Sequence, residues 1–298
     1  MPELPDIEVY VGCLAERIVG ATLEGIRLEN PFLLRSVEPR PEALAGKSVV
    51  GVRRLGKRVV IELEGEHFLV LHLMIAGRLH WLAPGKVAKR PLLLAAFQFS
   101  TGTLVLTEAG SKRRASLYVV RGEQVLALHD RGGVEPLEVD RAGFEHALTS
   151  ENHTLKRALA DPRLFSGIGN AYSDEILNRA RLSPLKLTHS LASDEVDRLH
   201  AAVRDVLVEW TERLRAETGD GFPKKVTAFR AEMSVHGRFR EACRQCGSPV
   251  QRIVYAENEC NYCARCQTGG KLLADRALSR LLKQDWPKTI DELEDRRG

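Results

Sequence analysis

Residues 47–74 read KSVVGVRRLGKRVVIELEGEHFLVLHLM, and no other stretch of the chain indicates its architecture as clearly. Aliphatic and β-branched residues come in three short runs, with Gly56 and Gly65 between them. Short apolar runs separated by glycine are typical of strands joined by tight turns. Three similar runs follow in the chain: LAAFQF, TLVLTE and SLYVV. This regularity over residues 22–130 favours a β-sandwich or a β-barrel.

A helix is predicted ahead of these strands, over residues 5–19. Apolar residues recur there at helical spacing, Pro5 suits a first helical turn, and Gly20 can close the last one. The chain start has no basic segment followed by an apolar core, and no apolar run reaches about 18 residues. We therefore expect neither a secretory signal nor a membrane span, and a cytoplasmic or nucleoid location.

The pattern changes after about residue 135, where GVEPLEVD predicts a hinge into a second domain. Residues 141–216 have helical spacing, and the longest such pattern runs from Leu191 to Leu214. A length of 298 residues is enough for two domains with ordinary cores.

The charge of the chain is informative through its placement. The net charge is only +4, which identifies no partner by itself. Lysine and arginine nevertheless cluster at residues 53–58, 112–114, 224–225 and 238–244. Clusters of this kind are typical of proteins that bind a polyanion, and solvated surface faces are the alternative.

Five of the six cysteines lie between residues 243 and 266. Cys243-x2-Cys246 and Cys263-x2-Cys266 are two knuckles with the spacing of a tetrahedral thiolate zinc site. Cys260 also forms a CxxC with Cys263, but its spacing is less favourable, so we expect it to be a spare thiol. The prediction is one structural Zn²⁺, because four thiolates leave no open coordination position for chemistry.

Pro2 would become the N-terminal residue if Met1 were removed. The α-amine of a chain terminus has a pKa near 8, so a useful fraction is neutral and nucleophilic at cellular pH. Attack of this secondary amine on an aldehyde-level carbon gives a cationic iminium, which can accept electrons during bond cleavage. The neighbouring Glu3 is able to move protons. Many chains begin Met-Pro, so this feature gains weight only from its context.

Four segments in order resemble the formamidopyrimidine-DNA glycosylase/endonuclease VIII family: MPELPDIEVY, RLGKRVVIEL with HLMIAGRL, SGIGNAYSDEIL, and CRQCGSPV…CARCQ. The resemblance extends through nearly the whole chain. It implies an α+β multidomain fold, in which an N-terminal β-sandwich with an N-terminal helix precedes a helical helix-two-turn-helix domain and a C-terminal β-hairpin zinc finger. The expected segments are 1–135 (catalytic), 136–230 (DNA-binding), 231–275 (zinc finger) and 276–298 (tail).

The resemblance also implies a mechanism. Pro2 would attack C1′ of a damaged deoxynucleotide and displace the base, while Glu3 assists by proton transfer at the sugar. The iminium would then favour β- and δ-elimination. Lys57 would act as a general acid/base or as a phosphate contact; the alternative is one more cation in a basic strand.

The same resemblance implies a set of DNA contacts. Asn170 would bind a phosphate after the glycine turn, although an ordinary interhelix turn is the alternative. His72 would contact a phosphate or would be a buried strand histidine. Arg113 matches the arginine that enters the gap left by a flipped nucleotide. Arg163 and Lys156 are further phosphate partners.

Three positions depart from the family pattern. Ile75 stands where members usually have methionine, and Met74, its neighbour, should point to the opposite face if both lie in a strand. Ala115 stands where members have phenylalanine. Asn258 replaces an arginine of the finger, whose role Arg252 or Lys225 could take. These changes leave the preferred lesion open, and oxidised or ring-opened bases are expected.

The function expected is base-excision repair by a bifunctional DNA glycosylase and AP lyase. The partner is double-stranded DNA with a damaged base or an abasic site, or single-stranded DNA, and the protein is expected to be a monomer. A non-catalytic binder of damaged DNA on the same fold is the alternative. Retention of Pro2 and Glu3 favours the enzyme, and a zinc hydrolase is disfavoured by the four thiolates.

Overall fold

The computed structural model describes residues 1–86, 92–109, 112–255, 258–273 and 287–295. The chain forms two compact units. The first comprises Met1–Arg131 with Glu209–Thr227, and the second comprises Gly132–Val208 with Ala228–Gly298. Parts of the expected tail, residues 276–286 and 296–298, lie outside the described residues.

The first unit begins with helix α1, Leu4–Ile18. Its N-cap is Glu3, and proline occupies its first turn, where a missing N–H group costs no hydrogen bond. The side chains of Ile7, Leu14 and Ile18 are fully buried in the main core of the unit. The predicted helix is confirmed to within one residue at each end.

Two four-stranded antiparallel sheets follow. One has the order β1-β6-β7-β5 and the other the order β2-β3-β4-β8. The strands are β1 Leu23–Leu28, β2 Val49–Leu55, β3 Arg58–Leu63, β4 His67–His72, β5 Gly77–Leu82, β6 Leu93–Phe99, β7 Gly102–Glu108 and β8 Ser116–Arg121.

The two sheets share one core. Phe97 and Leu106 from the first sheet lie in the same buried cluster as Ile61 and Leu69 from the second. On β3 the neighbour Val60 belongs instead to a smaller cluster, which Leu126 of helix α2 (Glu123–Ala127) covers. This alternation is the period-2 pattern of a sheet buried on both faces. The sandwich is therefore confirmed over the barrel.

Helices dominate the second unit. They are α3 Arg141–Thr149, α4 Leu155–Ala160, α5 Asn170–Ala180 and α6 Ser193–Thr218, of which the last continues into the first unit from Glu209 onward. The second unit also contains a hairpin and two short helices: β9 Gln251–Tyr255, β10 Asn258–Tyr262, α7 Ala264–Thr268 and α8 Ile290–Asp295. The predicted fold class is confirmed. No helix in the described ranges is both long and apolar enough to cross a membrane.

Candidate active site and nucleic-acid contacts

The N-terminus is held in place by the start of α1. Pro2 and Glu3 are buried, and Glu3 is only 2% exposed. The Glu3 backbone N–H donates to Oδ2 of Asp6 at 3.1 Å, and the Glu3 carbonyl accepts from the N–H of Ile7 at 3.0 Å. A capping box thus fixes the residue that follows Pro2, and with it the direction in which the chain enters the helix.

The electrostatic surroundings of the terminal amine are mixed. Burial is the main cause that lowers the pKa of the Met1 α-amine, and the Glu3 carboxylate opposes it. Arg78 lowers the pKa further, Asp6 raises it, and Lys57 lowers it. The Tyr10 hydroxyl accepts from the N–H of Leu79 at 3.3 Å, which ties α1 to the strand that carries Arg78. An amine in this place is biased toward the neutral, nucleophilic form.

Lys57 lies in the two-residue turn between β2 and β3, where Leu55 pairs with Arg58. Gly56 takes the first turn position with φ +61°, a conformation that glycine adopts at little cost. Arg54 braces this turn: its Nη1 donates to the Gly56 carbonyl at 3.0 Å, and its Nε donates to Glu8 Oε1 of α1 at 2.6 Å. Sequence reasoning missed Arg54, since the RRLGKR cluster does not show which arginine faces the helix.

His72 lies at the end of β4, opposite Arg58 on one side and Ser116 on the other. Burial, followed by the charges of Arg58, Lys57 and Arg131, lowers its pKa to about 4. The imidazole is therefore neutral at pH 7 in the protein without DNA.

The turn after His72 differs from the expected strand. Strand β4 ends at His72, and residues 74–76 form a turn in which Met74 has φ +52°. The Gly77 N–H donates to the Leu73 carbonyl at 2.9 Å, and a Cβ at Gly77 would lie 2.3 Å from that oxygen. Met74 and Ile75 therefore do not lie in a strand, and the expectation that they point to opposite strand faces was wrong. Ile75 is the exposed side chain of this turn, at 56%.

The segment that carries Arg113 is fixed by Glu108 at the end of β7. Both carboxylate oxygens of this buried residue accept backbone hydrogen bonds, one from Arg114 at 3.0 Å and the other from Ala115 at 3.1 Å. Arg113 is exposed, and Ala115 packs into the sandwich core. The sequence places Arg113 correctly before a strand but does not show what holds it there.

Asn170 is the first residue of α5 in the second unit. Its Nδ2 donates to the Glu259 carbonyl of β10 at 2.9 Å, so the side chain also contacts the cysteine-bearing hairpin. Asn258 beside it is exposed, and Arg252 across the hairpin pairs with Glu259 at 3.3 Å and lies over the Phe239 ring. Lys225 is exposed in the first unit.

Arg163 and Lys156 differ in their surroundings. The Arg163 side chain is 57% exposed and pairs with Asp161 at 2.7 Å. The Lys156 side chain is only 12% exposed, and its Nζ donates to Asn170 O, Ser173 Oγ and Asp174 Oδ1 at 2.6–2.8 Å. Because an ammonium group has three N–H donors, none remains for a phosphate. Without DNA the ammonium group of Lys156 is thus occupied by α5, and the phosphate contact expected for it stays a prediction.

Four cysteine sulfurs converge at the hairpin of the second unit. The sulfurs of Cys243, Cys246, Cys263 and Cys266 all lie within 4.8 Å of one another. Cys260 is not in this group; it is buried on β10. The donor set is four thiols from two CxxC knuckles, which is the set that binds a tetrahedral metal ion.

These features define a two-unit α+β protein that joins a β-sandwich with a buried N-terminus to a helical unit and a four-cysteine hairpin. Residues 1–132 match the formamidopyrimidine-DNA glycosylase N-terminal domain, and residues 133–218 match the formamidopyrimidine-DNA glycosylase H2TH domain. The chain therefore belongs to the formamidopyrimidine-DNA glycosylase/endonuclease VIII family.

Individual relatives and structures agree with this assignment. The formamidopyrimidine-DNA glycosylase of Heliobacterium modesticaldum is 33% identical over 278 residues, 90% of this chain and 100% of the relative. That of Thermus thermophilus is 35% identical over 283 residues, 91% of this chain and 100% of the relative. The Lactococcus lactis enzyme bound non-covalently to DNA with an AP site superposes with a TM-score of 0.77 at 26% identity, covering 89% of this chain and 99% of that one.

Proposed function

We propose that this protein is a base-excision repair DNA glycosylase with AP lyase activity, acting on double-stranded DNA that contains a damaged base or an abasic site. The observation that carries the proposal is the burial of Pro2 and Glu3 at the start of α1. Beside them the Met1 α-amine has its pKa lowered by burial and, to a lesser extent, by the charges of Arg78 and Lys57. Membership of the glycosylase family supports the same chemistry. The structural neighbours bound to abasic-site, carbocyclic 8-oxo-G and Fapy-dG DNA support this substrate class.

The nucleophile is the nitrogen of Pro2 after removal of Met1. The nitrogen lone pair attacks C1′, the N-glycosyl bond breaks, and the departing base leaves with the bonding electrons and a proton. The C1′–O4′ bond then breaks, O4′ takes a proton, and the ring-opened sugar carries an iminium. Loss of the C2′ proton and then of the C4′ proton sends electrons toward the iminium as the C3′–O3′ and C5′–O5′ bonds break by β- and δ-elimination, and each phosphate leaves with its bonding electrons. With Met1 attached the same nitrogen is an amide, whose lone pair is not available.

Glu3 supplies proton transfer at the sugar, since it is the carboxylate adjacent to the nucleophile. Lys57 is proposed to donate or accept a proton or to contact a phosphate, and its position in the turn between β2 and β3 supports this role. Asn170, Arg163, His72 and Arg113 are proposed DNA contacts.

The four-cysteine group would hold one Zn²⁺. Two CxxC knuckles supply four thiolates, the donor set of a closed structural site, and such an ion stabilises a hairpin too small to bury a core of its own. The site takes no part in the proposed chemistry. We further propose that the protein acts as a monomer on the nucleoid in the cytoplasm, and the segment boundaries at residues 135, 230 and 275 stay a prediction.

The test is borohydride trapping on abasic duplex DNA. A chain shown by mass spectrometry to begin at Pro2 should form a covalent adduct, and peptide mapping should locate it on Pro2. A chain with an N-terminal extension should bind the DNA without forming an adduct. Trapping by the verified extended chain would reject Pro2 and point to Lys57, and binding without trapping by the mature chain would identify a non-catalytic binder.

Glu3 can be tested separately. Glu3→Gln should bind damaged duplex and lose base excision, because it keeps the shape of the side chain and removes the proton shuttle. Glu16→Gln on the same helix is the matched control, since the Glu16 side chain is 77% exposed. Equal excision rates for the two variants would reject the role of Glu3.

A further inference from the structure

One aromatic ring of the first unit is held in solvent by a rigid turn. Phe32 is 78% exposed and is the middle residue of the short 3₁₀ helix Pro31–Leu33. The Asn30 side chain caps this turn by accepting from the Phe32 N–H at 3.0 Å. Leu33 is buried in the sandwich core and anchors the other end. The backbone around the ring is thus fixed from both sides, so little backbone entropy is lost when the ring binds a ligand.

Phe32 lines an open cavity of about 450 Å³. Asn30, Arg35, Leu94, Arg113 and Ala115 contribute to the walls, and among the residues that the structure describes no carboxylate does. Arg35 and Arg113 are exposed, and neither guanidinium forms an ion pair within the described ranges of the chain. An aromatic face with two such cations matches a flat π-system attached to phosphate, which is a nucleotide unit of a nucleic acid.

Strand register places this cavity at the same end of the sandwich as Lys57. Lys57 precedes Arg58, which pairs with His72, and His72 pairs with Ser116 at the start of β8. The loop after Phe32 runs beside β8: Leu34 bridges Leu117 in parallel, and the Arg35 N–H donates to the Leu117 carbonyl at 2.9 Å.

The cavity has an aromatic side chain although position 115 holds a small one. Ala115 is 3% exposed, and its methyl group packs into the core cluster, so it offers no ring to a ligand. The aromatic face of the cavity comes from Phe32. A glycosylase that flips its target leaves the opposite base without a pairing partner. An aromatic side chain reaches the π-face of such an orphan base by wedging between it and its stacked neighbour.

We propose that Phe32 stacks on this orphan base, with Arg113 and Arg35 holding its nucleotide in the cavity. The inference rests on the proposed function, because only a flipped nucleotide creates the orphan base. Phe32 is then a positioning residue for the damaged duplex.

The experiment uses a duplex with a stable tetrahydrofuran abasic analogue and 2-aminopurine as the opposite base. Wild-type protein should quench the 2-aminopurine fluorescence on binding, as stacking does. Phe32→Ala should bind roughly 5- to 150-fold more weakly, the range of one lost base–aromatic stack, and should lose the quenching. Phe32→Tyr should restore both, because it restores the ring.

Val37→Ala is the matched control, since Val37 is 84% exposed on the same loop and does not line the cavity. It should behave as wild type. Equal affinity and quenching in Phe32→Ala and Val37→Ala would overturn the inference, as would quenching only when 2-aminopurine flanks the analogue in its own strand. Borohydride trapping of wild type on natural abasic DNA reports separately on the proposed function.

Discussion

Replacing Lys156 with methionine separates a role in the fold from a role in DNA binding. The ammonium group lies between α4 and α5 and donates to three acceptors, of which the Asp174 carboxylate at 2.6 Å is the charged one. The Asp174 side chain has no exposed surface. Methionine keeps an unbranched apolar stem of similar length, so the substitution mainly removes the charge.

The expected loss of folding stability in Lys156→Met follows from the surroundings that Asp174 has after the substitution. Two donors remain on Oδ2, the His236 ring at 2.8 Å and the Asn261 N–H at 3.1 Å, but Lys156 no longer balances the buried carboxylate. Removing one partner of a buried ion pair costs about 3–5 kcal/mol. That is a large part of the typical free energy of unfolding of about 5–15 kcal/mol.

Two measurements test this reasoning. Urea unfolding followed by circular dichroism should give the lower stability of Lys156→Met, and Lys156→Met/Asp174→Asn should recover part of it because the uncompensated charge is gone. Binding to duplex DNA at several salt concentrations should give an unchanged slope of log K against log salt. Arg163→Met is the matched control: it should leave stability unchanged and, if Arg163 binds a phosphate, lower the slope by about 0.9.

The opposite pattern would refute the argument. Unchanged stability of Lys156→Met together with a smaller salt slope would show that the ammonium group leaves Asp174 and neutralises a phosphate.

Three further side chains, those of His72, Cys260 and Glu108, can each be tested by a single substitution. The lowered pKa of His72, about 4 against about 6.5 in an unfolded chain, means that its neutral form contributes stability fully above pH 6.5 and loses it as the pH falls toward 4. Between pH 7 and 4 the free energy of unfolding of wild type should therefore fall by up to about 3 kcal/mol more than that of His72→Gln, and parallel curves would contradict this. Cys260→Ser should retain one zinc per chain by metal analysis whereas Cys263→Ser should lose it; the reverse would show that the ligand set is different. Glu108→Gln has one acceptor oxygen for two backbone N–H groups, so it should cost about 1–3 kcal/mol and speed amide exchange at Ala115. Unchanged exchange would show that Glu108 does not hold the segment that carries Arg113.

The sequence alone determined the elements whose evidence is local. Short runs of aliphatic and β-branched residues, separated by glycine-containing turns, defined six of the eight strands of the sandwich, and the spacing of apolar residues located α1 within one residue at each end. The two CxxC knuckles identified the four sulfurs that converge, because ligand spacing is set along the chain. β5 was harder to find, since Arg78 and His80 interrupt its apolar residues and its first residue is a glycine.

Only the tertiary structure decided which polar side chains meet. Lys156 and Arg163 are both cations near the start of the helical unit in sequence, yet one is buried against Asp174 and the other is exposed. Phe32 lines the same cavity as Ala115, which comes more than eighty positions later in the chain, because β8 runs beside the loop after β1. Period and spacing describe neighbours along one element, whereas these pairings depend on how distant elements pack, and no local pattern records that.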